Sequence, residues 1–381
     1  MGGSIMRRAL ALAVLGLSAG VYATAGGAAH WVNFAFPSDS PVLVSSFTLG
    51  PTTARVEGSS MALDLHALLM LRNTGTKPIS GLTLRVEAQD LTPGGKGSVT
   101  IPNLDAQPGD SFPVHINMEL RRPFGGPPRG GAILKISLDC ALFSDLTAYG
   151  PNTLGSHRAL LLYEMEARRD RRYLAHLLET GRTAEVRREL SFGLGAVPEQ
   201  LGLELLRNPG ANAAHEQAVK VGALSFPGAP VEPIGGAARV FQNEVTGSRV
   251  EVVNHSRKTV RSIDMGWIVR DERGREFVAG AVPSFAHLAP VQTATMAESG
   301  TLRFSHPAGE PMSIGALMAF VNDVEFADGK LWIPTRADIQ AATSDPILRR
   351  QLAASPEQQH LADVYRKKGL AGLEEELKKV Q

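Results

Sequence analysis

Residues with catalytic chemistry are present in this chain, but their spacing does not suit them to it. Ten histidines are scattered over 381 residues with no H-x-x-x-H pair and no cysteine beside them, whereas a zinc site draws on closely spaced His and Cys ligands. The stretch GLSAG, residues 16–20, matches the G-x-S-x-G elbow of serine hydrolases. It lies within an apolar N-terminal run, however, without the preceding strand and following helix that such an elbow needs. The single cysteine, Cys140, sits in the strand-like run ILKISLDCALF, where nothing in the sequence supplies a neighbouring base. A buried, inert thiol is the expectation. Asp145 and Asp328 recur in matched hairpins, yet each hairpin offers too few oxygens for calcium, so both read as turn residues. The sequence gives no reason to expect a catalytic set, a metal or a cofactor.

Residues suited to binding are easier to name. Arg121 and Arg122 lead into the loop PFGGPPRGG, which also carries Arg129 and could contact an anionic polysaccharide or lipid head group. Tyr149 and Trp332 hold matched positions before a proline, as cross-strand partners or as platforms for a ligand. At the C-terminus, LADVYRKKGLAGLEEELKKVQ places Leu361, Val364, Leu370, Leu373 and Leu377 on an apolar stripe. This helix either folds back onto the preceding domain or offers Leu370, Leu373 and Leu377 to a partner. The charge run EMEARRDRR, residues 164–172, reads as the solvated face of a helix.

The elements that position these residues come from a chain that repeats itself. Asn73 and Asn254, Lys77 and Lys258, Ile79 and Val260, and Asp90 and Asp271 all keep one offset. Farther along, FSDLTAYGP (residues 143–151) meets FADGKLWIP (residues 326–334) at nearly that offset, so almost no net length separates the copies. Two landmarks in the same order imply a duplicated domain, and a period this long implies globular copies in tandem. Each copy is written in short runs rich in Val, Ile, Leu and aromatics, separated by Gly, Pro, Asn and Asp. Asp328-Gly329 predicts a two-residue hairpin turn with positive φ at both positions, whereas Leu146 at the matched place weakens that expectation in copy one. Asn73 and Asn254 are expected in turns that use left-handed backbone.

Runs of this kind predict a two-sheet antiparallel sandwich. With the N-x-x-x-K turn, the stretch PGDSFPV (residues 108–114) and the closing F-x-D hairpin, each copy resembles the disulfide-free immunoglobulin-like modules of exported bacterial proteins. The resemblance implies a β-sandwich with a binding or spacer role and transfers no catalytic residue. The expected fold is mainly β with helical segments: a signal peptide over residues 1–25, an extended lead-in over 26–40, sandwich 1 over 41–153, a helical segment over 154–190, a linker over 191–214, sandwich 2 over 215–335, and a helical tail over 336–381. LGLELL in the linker reads as a short helix. Asp345-Pro346 and Ser355-Pro356 mark helix starts in the tail.

Arg7 and Arg8, an Ala/Leu-rich run and Ala23-Thr24-Ala25 form the export signal, with cleavage expected after Ala25. Retained, the same segment would be a membrane anchor. Lys plus Arg (39) nearly cancels Asp plus Glu (38), which argues against nucleic acid as a partner. The functional expectation is a non-catalytic periplasmic or secreted scaffold that takes a protein or an anionic glycan. The alternatives are a tethered envelope component and a hydrolase of envelope polysaccharide or peptide.

Overall fold

The computed structural model describes residues 32–379, apart from 52, 58–59, 88–95, 124–133, 193–199, 208–215 and 308. The expected export signal, part of the linker, and Arg129 with its loop lie outside the described residues. The protein is mainly β, with nineteen strands and five helices among the described residues. Its contacts group into two units, one ending at Glu164 and the other starting at Met165.

Unit 1 holds β1 (Val32–Ala35), β2 (Val42–Leu49), β3 (Thr53–Glu57), β4 (Ser60–Asn73), β5 (Ile79–Glu87), β6 (Lys96–Ile101), β7 (Ser111–Pro123), β8 (Leu134–Phe143) and β9 (Ala148–Tyr149). One sheet runs β1-β8-β5-β6 with β9 on β8, and the other runs β2-β4-β3 with β7 on β4. Alternation does the sorting. Along β4, Leu65, Ala67, Leu69 and Leu71 are buried while His66 faces out. Leu69, Leu71, Val114 and Ile116 from one sheet share a core with Leu82, Leu84, Val86 and Ile136 from the other. Each such buried aliphatic side chain contributes about 1.5–3 kcal/mol relative to exposure. Residues 32–35 of the expected lead-in are in fact the strand β1, paired parallel to β8.

Unit 2 holds β10 (Gly202–Leu206), β11 (Gln217–Leu224), β12 (Val231–Phe241), β13 (Glu244–Asn254), β14 (Val260–Arg270), β15 (Glu276–Leu288), β16 (Thr293–Ala297), β17 (Thr301–Ser305), β18 (Ala316–Phe326) and β19 (Leu331–Trp332). All ten strands form one hydrogen-bonded sheet that curls nearly into a barrel. The linker stretch LGLELL is a strand and not a helix, because Leu203 and its alternating neighbours pair antiparallel with β17.

The repeat survives as a repeat of pairings. β1 with β8 recurs as β11 with β18, both parallel. β2 with β4 recurs as β12 with β13, and β4 with β7 as β13 with β16. β5 with β6 and β8 recurs as β14 with β15 and β18. Unit 2 also pairs β17 with β10 and β13, and it pairs β11 with β12, which joins into one sheet what unit 1 keeps as two. β12 has a register shift between Pro233 and Gly235, and a Cβ on Gly236 would meet the Arg249 carbonyl at 1.9 Å. Such a bulge with glycines lets one strand bend far enough to pair on both sides.

The two sequence landmarks, far apart along the chain, touch in each copy. Lys77 Nζ donates to Asp145 at 2.7 Å and lies over the Phe143 ring, just as Lys258 Nζ donates to Asp328 at 2.7 Å and lies over Phe326. Neither Asn73 nor Asn254 has positive φ. Their fully buried carboxamides are what the fold uses: Asn73 Nδ2 donates to the Lys77 and Ala106 carbonyls, and Asn254 Nδ2 to those of Lys258, Leu288 and Ala289.

The closing hairpin is also alike in both copies, with three turn residues and only the last at positive φ, so Asp328 is not left-handed as expected. Gly329 N donates to the Phe326 carbonyl and Leu146 N to that of Phe143, with φ 77 and 67. A left-handed leucine carries a steric cost of about 1–2 kcal/mol that glycine lacks, partly offset by glycine's freedom when unfolded. Leu146→Gly is therefore expected to raise unfolding stability by about 0.5–1 kcal/mol in urea titrations. A lower stability would mean that the half-buried leucine side chain contributes more than its backbone costs.

Candidate functional site

The five helices among the described residues are α1 (Ser156–Glu179), α2 (Thr183–Phe192), α3 (Arg336–Ala342), α4 (Pro346–Ala353) and α5 (Pro356–Lys378). α1 starts in unit 1, where buried Asp139 accepts from Thr153 Oγ1 and Ser156 Oγ, both at 2.7 Å. The same Asp139 stands beside Cys140, whose thiol is pushed up to about 11, by burial first and by that carboxylate second. Such a thiol stays protonated at neutral pH and is no nucleophile.

The rest of α1 belongs to unit 2. Leu174 and Leu177 pack with Val186 and Leu190 of α2 and with Leu361, Ala362, Leu373 and Leu377 of α5. Gly181 between α1 and α2, and Gly369 within α5, both have positive φ (71 and 67) and break the helix there. The helix starts expected in the tail are present. Asp345 caps α4 through the Ile347 and Leu348 amides, Ser355 caps α5 through the Gln358 amide, and each cap is followed by proline.

The charge run on α1 is not a solvated face. Asp170 is fully buried, and Arg169 donates to both its oxygens, at 2.9 and 3.3 Å. Arg336 Nε donates to Oδ1 at 2.7 Å, and the capping hydroxyl of Ser355 donates to Oδ2. Burial raises the Asp170 pKa, but Arg169 and Arg336 outweigh it and hold the group below the ordinary carboxylate range. At the next residue of α1, Arg171 Nε lies 2.7 Å from the fully buried Glu357, whose pKa is raised by burial against the pull of Arg171. Glu166 is pushed up to about 7, again by burial first, with Asp170 adding to the rise while Arg169 and Arg336 oppose it. The spacing held the clue: Glu166, Arg169 and Asp170 stand three and four residues from Leu162, Tyr173 and Leu174, on the stripe that faces inward.

Beside this network lies a cleft of about 320 Å³. Arg182, Glu185, Arg188 and Glu189 form one wall at α2, and Arg336, Gln340, Arg349 and Arg350 form the other on α3 and α4, with Tyr173 of α1 between them. Five arginines face two glutamates. The Asp170 network fixes Arg336 in this wall, and the guanidinium also lies over the Tyr173 ring at 5.4 Å. An array of fixed guanidiniums is suited to binding oxyanions.

None of the binding residues expected from sequence lines this cleft. Arg121 and Arg122 lie in β7, opposite Ala62 and Met61 of β4. Tyr149 is half-buried against the core of unit 1, and its hydroxyl donates to Asp39 at 2.7 Å. Trp332 is half-buried against two apolar clusters of unit 2. Leu373 and Leu377 are buried and Leu370 partly so, all three within the α1–α2–α5 core, where they present little surface to a partner. Among the described residues, no group of three His, Cys, Asp or Glu is placed to hold a metal, and no helix is long and apolar enough to cross a membrane.

The chain is thus a mainly β protein with a helical module carrying an arginine-lined cleft. No protein-family model matches it. No curated protein matches it either. Among solved structures, a two-domain protein with unknown function from Bacteroides fragilis NCTC 9343 is similar over 72% of this chain and 93% of its own, at 9% identity and a TM-score of 0.12.

Proposed function

We propose that this is a non-catalytic exported protein, periplasmic or secreted, built on two immunoglobulin-like modules from one duplication and binding its partner through the helical module. The observation that carries the binding role is the cleft, where five arginines outnumber two glutamates and a buried ion network holds one wall in place. The recurrence of strand pairings supports duplication. Hydrolysis is the weaker reading: Glu166 and Glu357 have the raised pKa of a general acid, but Glu357 is fully buried and neither lines the cleft.

In the test, the chain beginning at Gly26 is immobilised and exposed to envelope and culture extracts. It is expected to retain a specific protein or anionic glycan and to turn over none of a panel of glycan and peptide substrates. Turnover that disappears in Glu166→Gln would replace the scaffold by a hydrolase.

A further inference from the structure

We propose that the cleft between α2 and the α3–α4 pair is a binding site for the phosphate monoester of a small polyol; this rests on the reading of the cleft as a binding site, and puts a small ligand there in place of a protein or glycan. Most of the charges around the cleft are already committed. The Arg182 guanidinium is paired with Glu185, and that of Arg336 is committed to Asp170 and lies 3.8 Å from Glu189. Arg350 Nε donates to the Pro346 carbonyl at 3.1 Å. That leaves Arg188 and Arg349 with no carboxylate partner among the described residues. Arg349 gives Nη2 to the Ser344 carbonyl at 2.7 Å, while its Nε is buried with no acceptor among the described residues.

Two uncompensated guanidiniums lining one cleft, one from α2 and one from α4, match a group that carries close to two negative charges and three acceptor oxygens, as a phosphate monoester does near neutral pH. A carboxylate brings one charge and would leave one arginine unmatched. The rest of the lining is suited to a hydroxylated body: Glu185, Glu189 and the Gln340 carboxamide accept from hydroxyls, and the Tyr173 ring supplies one flat face. A volume of about 320 Å³ suits a small molecule better than a polymer segment.

The experiment is calorimetric titration of the full chain with glycerol 3-phosphate, inorganic phosphate, glucuronate and glycerol. A second arm uses sedimentation with vesicles of phosphatidylcholine containing phosphatidic acid. Saturable one-site binding of glycerol 3-phosphate is expected, about tenfold or more tighter than glucuronate, with none of glycerol. Arg188→Gln, an exposed position, is expected to weaken it about tenfold, and Arg188→Gln with Arg349→Gln further. Arg257→Gln, which removes the same charge from an exposed loop of the sheet, should leave it unchanged. Binding to free ester alone identifies a soluble ligand, and binding to the vesicles as well identifies a lipid head group. The proposal is overturned by absence of saturable binding, by equal loss in Arg257→Gln, or by tighter binding of glucuronate. Partner capture that persists without phosphate binding sinks this proposal alone; phosphate binding without any captured partner sinks the partner-scaffold reading alone.

Discussion

Asp170→Asn is expected to lower the stability of unit 2 by about 3–5 kcal/mol, the usual cost of removing one member of a buried ion cluster. The wild-type carboxylate satisfies two guanidiniums and a hydroxyl at once, and the side chains of Arg169 and Arg336 are themselves only 8% and 9% exposed. An amide keeps the shape but removes the charge, leaving Arg169 and Arg336 without the carboxylate they share. Denaturant unfolding followed by the fluorescence of Trp267 and Trp332 reads the change. Replacing the whole cluster (Arg169→Met, Asp170→Leu, Arg336→Met) should recover much of the loss, because well-packed apolar side chains often match a buried ion pair in stability. A cost below about 1 kcal/mol for Asp170→Asn would mean that water reaches the site and screens it.

The second large effect is on pH. Glu166 is held up to about 7 against an ordinary value of 4.5, so the folded chain binds this proton more tightly than the unfolded chain does. Its contribution is complete below about 4.5 and disappears as pH rises to about 7, a difference of roughly 3 kcal/mol at the 1.36 kcal/mol that each unit represents. Glu357 shifts in the same direction, whereas Asp170 is lowered, so its contribution is present at neutral pH and lost in acid. Urea midpoints from pH 5 to 8 should therefore fall for the wild type, and the slope should flatten in Glu166→Gln. Parallel profiles for the two proteins would show that Glu166 titrates normally.

The parts of this fold that were legible in sequence are those set by local pattern. The strand-like run ILKISLDCALF marks β8, proline after Asp345 and Ser355 marks α4 and α5, and the spacing of Asn73 and Lys77 recurs at Asn254 and Lys258. What was not legible depends on segments meeting from far along the chain. Asp170 is buried only because Arg336 and Ser355 arrive to satisfy it, and no window around residue 170 contains either. The charge run therefore reads as solvent-facing unless its place on the Leu162–Leu174 stripe is given more weight than its polarity. Likewise Arg188 and Arg349 come from different helices, so the cleft has no sequence signature. Leu146 shows the opposite limit, where propensity argues against a turn that tertiary pairing enforces.

The core formed by α1, α2 and α5 also constrains how the chain is made. The entire ten-stranded sheet lies between its two halves in sequence, and contacts of such separation close late. A chain emerging N-terminus first carries Leu174, Leu177, Val186 and Leu190 uncovered until α5 follows. Synthesis that stops anywhere within the sheet leaves that apolar face open to chaperones and proteases, so completion of the final helix is the step that withdraws unit 2 from surveillance.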